Sequence, residues 1–336
     1  MYIGRVRCNG PDGMEPRIVV ARRYSGPWCD LRTAERLRLE RRGASASGAR
    51  RIAAGLVPAS MTAALEGGHA FTDASLAAIE AMEEAAVIPD NPVFITPLDP
   101  PAYRDFMAFE GHFSFGYRWR GLPVPDVLYE FPVSYMGSVQ GIIGPDEEVP
   151  WPHFTRHMDF ELELGIVIGR RGRDVRPESA HEYVAGYTIL NDFSARDIQL
   201  REMASGLGPS KGKHFASAVG PWIATPDEVP SEGLRMSARV NGETWCDTSS
   251  SEIMWSVSEI VAWASSGENI AAGTLLGTGT ANGGSGVELG KKLAPGDLVE
   301  LEIENLGVLR NRLGMPGDGW TPLRRRPKPE TGSPAR

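Results

Sequence analysis

Lysine is nearly missing from this 336-residue chain: Lys211, Lys213, Lys291, Lys292 and Lys328 are the whole supply, and arginine carries nearly all the positive charge. The net charge is −8. Without a basic field, nucleic-acid binding is excluded as a general role. No apolar run approaches the ~20 residues that a membrane-spanning helix needs, so a membrane partner is not expected. The opening MYIGRVRCNG lacks the apolar core of a secretion signal. Cysteine is scarce too. Cys8, Cys29 and Cys246 are odd in number and form no CxxC, which fits ordinary packing in a reducing cytoplasm.

Two familiar nucleotide signatures are also lacking. GLGPSKGKH looks like a phosphate loop, but Leu207 stands where a Walker A motif needs glycine, and His214 follows Lys213 where Ser or Thr should be. GTGTANGGSG puts Asn282 where the third glycine of GxGxxG belongs, and strands follow it. HFTRH spaces His153 and His157 as a helix would for zinc, yet Pro150 and Pro152 crowd its start and there is no HExxH.

What is present divides the chain into three. Residues 1–95 read as a small N-terminal α+β domain. It has the strand-like runs YIGRVRC and RIVVARR, an Arg-rich stretch read as a solvated helix face, and a helix in DASLAAIEAMEEAAVI. That helix shows Leu76, Ile79 and Met82 at helical spacing behind a Thr72/Asp73 cap. The proline cluster DNPVFITPLDPP marks the boundary. Residues 96–320 then read as a β-rich catalytic domain, with many short strands between Gly and Pro and one clear helix in SVSEIVAWASS. The class is mixed, β-rich α+β, since helices do not alternate with strands as in a doubly wound sheet. The Pro-rich, polar tail 321–336 is expected to be disordered.

Within the β-rich part, DFELELGIVIG puts Glu161 and Glu163 on one face of a strand and Phe160, Leu162 and Leu164 on the other. The glutamates' face continues as Gly165, Val167 and Gly169, which suits a covered face. Two covered carboxylates repel unless a cation lies between them. In NDFSARDIQLREM, Asp192 ends the strand YTIL. Arg196 and Gln199 follow four and seven residues on, a fork for a carboxylate and an amide for a carbonyl or hydroxyl. RDFMAFEGHFSFG carries Asp105 and His112 among aromatic and small residues.

Seven segments in one order, DFMAFEGH, FPVSYMG, DFELELGIVIG, YTILNDFSARDIQ, GPSKGKHFASAVGPW, LLGTGTANG and PGDLVELEIENLGVLRNRL, resemble the fumarylacetoacetate hydrolase family over about residues 103–315. The resemblance implies a β-roll or β-sandwich catalytic domain and a homodimer. It implies that Glu161, Glu163 and Asp192, with Asp105 as a fourth, hold a hard divalent cation: Mg²⁺, with Mn²⁺ or Ca²⁺ also possible. It makes His112 the general base, Glu288 the carboxylate that orients it and Lys213 the cation beside the substrate, with a hydroxyl residue at Ser217. Arg196, Gln199, Tyr135 and Thr280 fall at substrate-contacting positions. The implied activity is hydrolysis of a C–C bond in a 1,3-diketo acid, acylpyruvate or fumarylacetoacetate-like, with decarboxylation or isomerisation of a 2-oxo diacid as the alternative. Met107 stands where fumarylacetoacetases have tyrosine, and Met136 where they have histidine. These departures point to a substrate less acidic or bulkier than fumarylacetoacetate.

Overall fold

A central strand explains most of the architecture. The computed structural model describes residues 1–10, 13–88 and 92–319; the tail 321–336 and part of the proline-rich boundary lie outside the described residues. Leu162–Ile168 is buried along its whole length, hydrogen-bonded antiparallel to Val184–Asn191 on one side and to Leu275–Gly277 on the other. Beyond Val184–Asn191 come Ser217–Ala224, Tyr2–Gly10, Gly13–Ala21 and Cys29–Asp30. Beyond Leu275–Gly277 come Tyr103–Phe106, which pairs in parallel, and then Ser134–Met136. A second sheet of five strands has the order Glu243–Ser249, Arg235–Val240, Leu298–Ile303, Gly307–Pro316 and Val149–Trp151. The class is mixed α+β and sheet-rich, with an open main sheet.

The run LELGIVI is apolar on both faces because both faces are covered. Leu164, Ile166 and Ile168 join Met236, Ala238 and Leu301 of the five-stranded sheet in one core. Val167 points the other way, into a core with Phe71, Ala74 and Ala78 of the helix His69–Ala81. The first 95 residues therefore supply four strands of the main sheet among the described residues, the fourth being Phe94–Ile95 against Tyr2–Gly10, and the helical layer over one of its faces. Trp222, on Ser217–Ala224, sits 5.4–5.6 Å from the rings of Tyr24, Trp28 and Phe94. Ring pairs of this kind contribute about 0.5–1.5 kcal/mol each beyond their buried area.

The Arg-rich stretch forms the helices Leu31–Arg41 and Ala46–Leu56, and three of its arginines are paired with acids: Arg36 with Glu40, Arg38 with Glu35, Arg41 with Glu83. The next helix corrects the expectation drawn from its spacing. It starts at His69 behind Gly68, so Thr72 and Asp73 lie inside it and cap nothing. Leu76 is 47% exposed, and Met82 is the left-handed C-cap. The buried stripe is instead Phe71, Ala74, Ser75, Ala78 and Ile79. Small residues let this helix lie close to the sheet, a stripe that large side chains alone do not reveal. PESAHEY forms a 3₁₀ turn, Pro177–Tyr183. The helix Val257–Ser265 carries a capping box from Ser256 and Glu259.

Candidate active site

Three strands of the main sheet deliver four acids to one point. Glu163 lies on the central strand and Glu161 just before it. Asp192 follows the last residue of Val184–Asn191, whose Asn191 pairs with Leu162. Asp105 comes from Tyr103–Phe106, one strand further out. The strand between, Leu275–Gly277, aligns Gly277 with both Asp105 and Gly165. A Cβ on Gly277 would fall 2.2 Å from Asp105 Oδ1 and 2.8 Å from Glu163 Oε2. The missing side chain is what lets the two acids meet across a strand. One oxygen from each of Asp105, Glu161, Glu163 and Asp192 lies within 4.8 Å of the others, and all four residues are buried.

The cluster is held by a small set of donors. Lys213 Nζ donates to Glu161 and, at 2.5 Å, to Asp192 Oδ2, which also accepts from the Tyr135 hydroxyl at 2.5 Å. Ser217 Oγ donates to Asp192 Oδ1 at 3.0 Å. The backbone N–H of Gly279 donates to Glu163 Oε2 at 3.2 Å, and Thr280 Oγ1 to Glu163 Oε1 at 3.4 Å. Asp105 Oδ1 is buried with no hydrogen-bond partner among the described residues.

Burial, then the charge of Asp192, pushes the Asp105 carboxyl well above its ordinary range. Burial, then the charge of Asp105, does the same to Glu163. Burial also works to raise Glu161, but Lys213, Arg196 and His112 outweigh it and hold that carboxyl low. Burial disfavours the Lys213 ammonium, yet Asp192 and Glu161 push its pKa up. An all-oxygen set with two acids that resist ionising and one orphaned oxygen fits a hard divalent cation, which relieves the repulsion and fills the orphan's coordination.

His112 stands beside this cluster. It lies in the first turn of the helix Glu110–Trp119. Its backbone N–H donates to Asn282 Oδ1 at 3.1 Å, and Gly111 leaves room for that amide, since a Cβ there would sit 2.3 Å from it. His112 Nδ1 is 2.8 Å from Glu288 Oε2, and Nε2 is 3.6 Å from Glu161 Oε1. Glu288 in turn accepts from Ser285 Oγ at 2.6 Å and from the N–H of Gly283 at 3.0 Å. Burial tends to raise the Glu288 carboxyl, and the contacts with His112, Ser285 and Gly283 more than offset it.

Of the other residues singled out in the sequence, Tyr135, Gln199 and Thr280 line a cavity of about 380 Å³ together with His112, Lys213 and three of the four acids. Arg196 lies behind the cluster. Only 7% exposed, it reaches Asp159 through Nε at 2.8 Å, Glu161 Oε1 through Nη1 at 2.7 Å, and Gln199 Oε1 at 3.1 Å. His153 and His157 lie in an irregular segment, apart from the acidic group.

Two acids escaped the sequence reading. Asp159 binds Arg196 and the N–H groups of Gly286 and Val287. It opens the same two-residue alternation as Glu161 and Glu163, and that alternation could have found it. Glu202 accepts three backbone N–H groups, from Ser210, Lys211 and Gly212, at 2.9–3.0 Å. The segment that looked like a phosphate loop does cradle an anion, supplied by its own chain.

Comparison with known proteins agrees with this geometry. The fumarylacetoacetate (FAA) hydrolase C-terminal family matches residues 102–314. Human mitochondrial oxaloacetate tautomerase FAHD2A is 31% identical over 266 residues, 76% of this chain and 80% of that protein. The 2,4-didehydro-3-deoxy-L-rhamnonate hydrolase of Sphingomonas sp. (strain SKA58) is 35% identical over 198 residues, 57% of this chain and 67% of that one. An HpcE-like protein from Mycobacterium smegmatis superposes with a TM-score of 0.71 at 26% identity, over 94% of this chain and 99% of that one. With its four-acid centre, its His–Glu pair and a family match over most of its length, the chain belongs to the fumarylacetoacetate hydrolase family.

Proposed function

We propose that the protein is a divalent-cation-dependent hydrolase that cleaves the C–C bond of a 1,3-diketo acid, an acylpyruvate or a fumarylacetoacetate-like compound, to a carboxylic acid and a keto acid. The observation that supports it most is the His112–Glu288 pair, 2.8 Å apart at the edge of the acidic cluster. A decarboxylase can rely on charge stabilisation and a tautomerase only moves a proton between carbon and oxygen, whereas hydrolysis needs a base positioned to activate water.

Asp105, Glu161, Glu163 and Asp192 would hold the cation, Mg²⁺ in first place with Mn²⁺ or Ca²⁺ as alternatives, and that cation supplies Lewis-acid stabilisation of negative charge on the substrate's carboxylate and adjacent keto oxygen. Glu288 accepts from Nδ1–H of His112, which leaves Nε2 free to take a proton from water. The resulting hydroxide adds to the distal carbonyl. The C–C bond then breaks, its electron pair passing to the methylene carbon and into the neighbouring keto group. Lys213 stabilises that charge, and the proton held by His112 returns to the carbon, leaving an acid and pyruvate or a related keto acid. Gln199, Tyr135 and Thr280 orient the substrate. Arg196 positions Glu161. The reading includes a homodimer in the cytoplasm.

A second reading, tautomerisation or decarboxylation of a 2-oxo diacid on the same residues, draws support from the relative named an oxaloacetate tautomerase. An assay in H₂¹⁸O with Mg²⁺ and a small acylpyruvate panel separates the two. Hydrolysis puts ¹⁸O into the acid product and is lost in the Glu161→Ala/Glu163→Ala double variant. His112→Ala is expected to lose ~10²–10⁴-fold in kcat while still binding Mg²⁺ by calorimetry. Keto–enol conversion without label, or CO₂ released from a 2-oxo diacid, would transfer the function to the second reading.

A further inference from the structure

The wall of the cavity that the acids do not occupy is apolar. Met107, Phe113, Tyr117, Val127, Val133 and Met203 line it, drawn from the helices Glu110–Trp119, Val127–Glu130 and Arg196–Met203 and from the loops between. Charge is distributed unevenly around this space. Lys213 is the only lysine or arginine among the described residues that line it, and its ammonium is already engaged by Glu161 and Asp192. Arg196 faces Asp159 and Glu161. Arg120 lies over the Tyr117 ring at 4.5 Å, with its Nε committed to the Gly116 carbonyl. On the short helix that brings Val127 to the wall, the flanking charges are Asp126 and Glu130, both acidic.

A substrate whose carboxylate end sits at the acidic cluster must place its far end against this wall. A second carboxylate there would lie against apolar side chains, without an unengaged cation among the described lining residues to meet it and with acidic groups flanking the wall, an unfavourable arrangement. A neutral apolar group meets thioethers and rings of matching character, and methionines adapt to its outline. The volume lies within the range of sites for small organic ligands.

We propose that the substrate is a monoanion: a 2,4-dioxo acid whose acyl substituent is neutral and apolar, a branched alkyl or aryl group, and that dicarboxylates of equal length are rejected. This rests on the reading above that the carboxylate end binds at the four acids. The test compares a matched pair, benzoylpyruvate and its para-carboxyl counterpart, with the Mg²⁺-loaded protein. Cleavage is followed by loss of enol absorbance, and binding by calorimetry with phenylpyruvate and para-carboxyphenylpyruvate, which lack the cleavable bond. The apolar member is expected to lead by ~100-fold or more, both in kcat/KM and in affinity. Met203→Arg, checked for folding by its melting curve, is expected to shift the ratio toward the dicarboxylate by at least ~10-fold.

Equal or better use of the dicarboxylate overturns the proposal. So does failure of phenylpyruvate to bind, or a ratio that Met203→Arg leaves unchanged. If neither diketo acid is cleaved but the binding preference holds, hydrolysis is what fails and the substrate class stands.

Discussion

At the scale of single residues, the centre is a problem in electrostatics solved by position. Glu161 is kept ionised chiefly by Lys213 and Arg196, while burial and the like charge of neighbouring acids push Asp105 and Glu163 up, more than Lys213 offsets at Asp105. The sign of the resulting pH dependence is fixed. Above the ordinary carboxylate range of about 4, the unfolded chain has released these two protons and the ion-free folded protein retains them. Stability of the ion-free protein therefore falls as pH rises toward the elevated folded pKa values, and a bound cation cancels the loss. The gap in Tm between Mg²⁺ and EDTA is expected to widen from pH 6 to pH 8, as measured by calorimetry. A constant gap would mean that these two acids do not bind the ion. The two glutamates and their covered face were legible because a strand's alternation is a local property. Asp105 was not legible by spacing alone, since its partner Glu163 reaches it across Gly277.

At the scale of elements, the 205–213 loop shows what motif comparison leaves out. Its glycines and lysine suggested phosphate, and the absence of Ser or Thr after the lysine excluded it. What the spacing could not convey is that Glu202, at the end of the preceding helix, fills the cradle. Burial tends to raise Glu202, but the N–H groups of Gly212, Ser210 and Lys211 outweigh it and keep it ionised. The loop carries Gly206, Gly208 and Pro209 at the cavity wall and leads into Lys213. Glu202→Ala is expected to free it, raising hydrogen exchange of the 205–212 amides and lowering kcat/KM by roughly tenfold through a misplaced Lys213. Unchanged exchange would reduce Glu202 to a bystander. The helix His69–Ala81 shows a related limit. Its start was misplaced because Thr72 and Asp73 resemble a cap, while the packing stripe keeps the expected Ile79 but is completed by Phe71 and by alanines and a serine that hydropathy barely registers.

At the scale of the whole molecule, the sequence pattern separated residues 1–95 from the rest by composition. Strand pairing is not written in composition. Tyr2 and Ile3 pair with Ala224 and Ile223, and no local signal announces a partner so far away. The same limit applies between copies, where the homodimer comes from family resemblance alone. Sedimentation equilibrium at micromolar protein is expected to give twice the chain mass, and a monomer at all concentrations would remove the dimer from the reading.

The pairing of His112 with Glu288 spans 176 residues, and this sets a schedule for synthesis. At about 5–20 residues per second, a ribosome needs roughly 10–35 s to go from one to the other. For that interval the nascent chain holds a histidine without its orienting carboxylate. Until residue 213 is made, its acids also lack the lysine that bridges two of them. On the mechanism proposed above, a chain cut anywhere before residue 288 carries the base without the carboxylate that holds it, and is expected to turn over far more slowly than the whole.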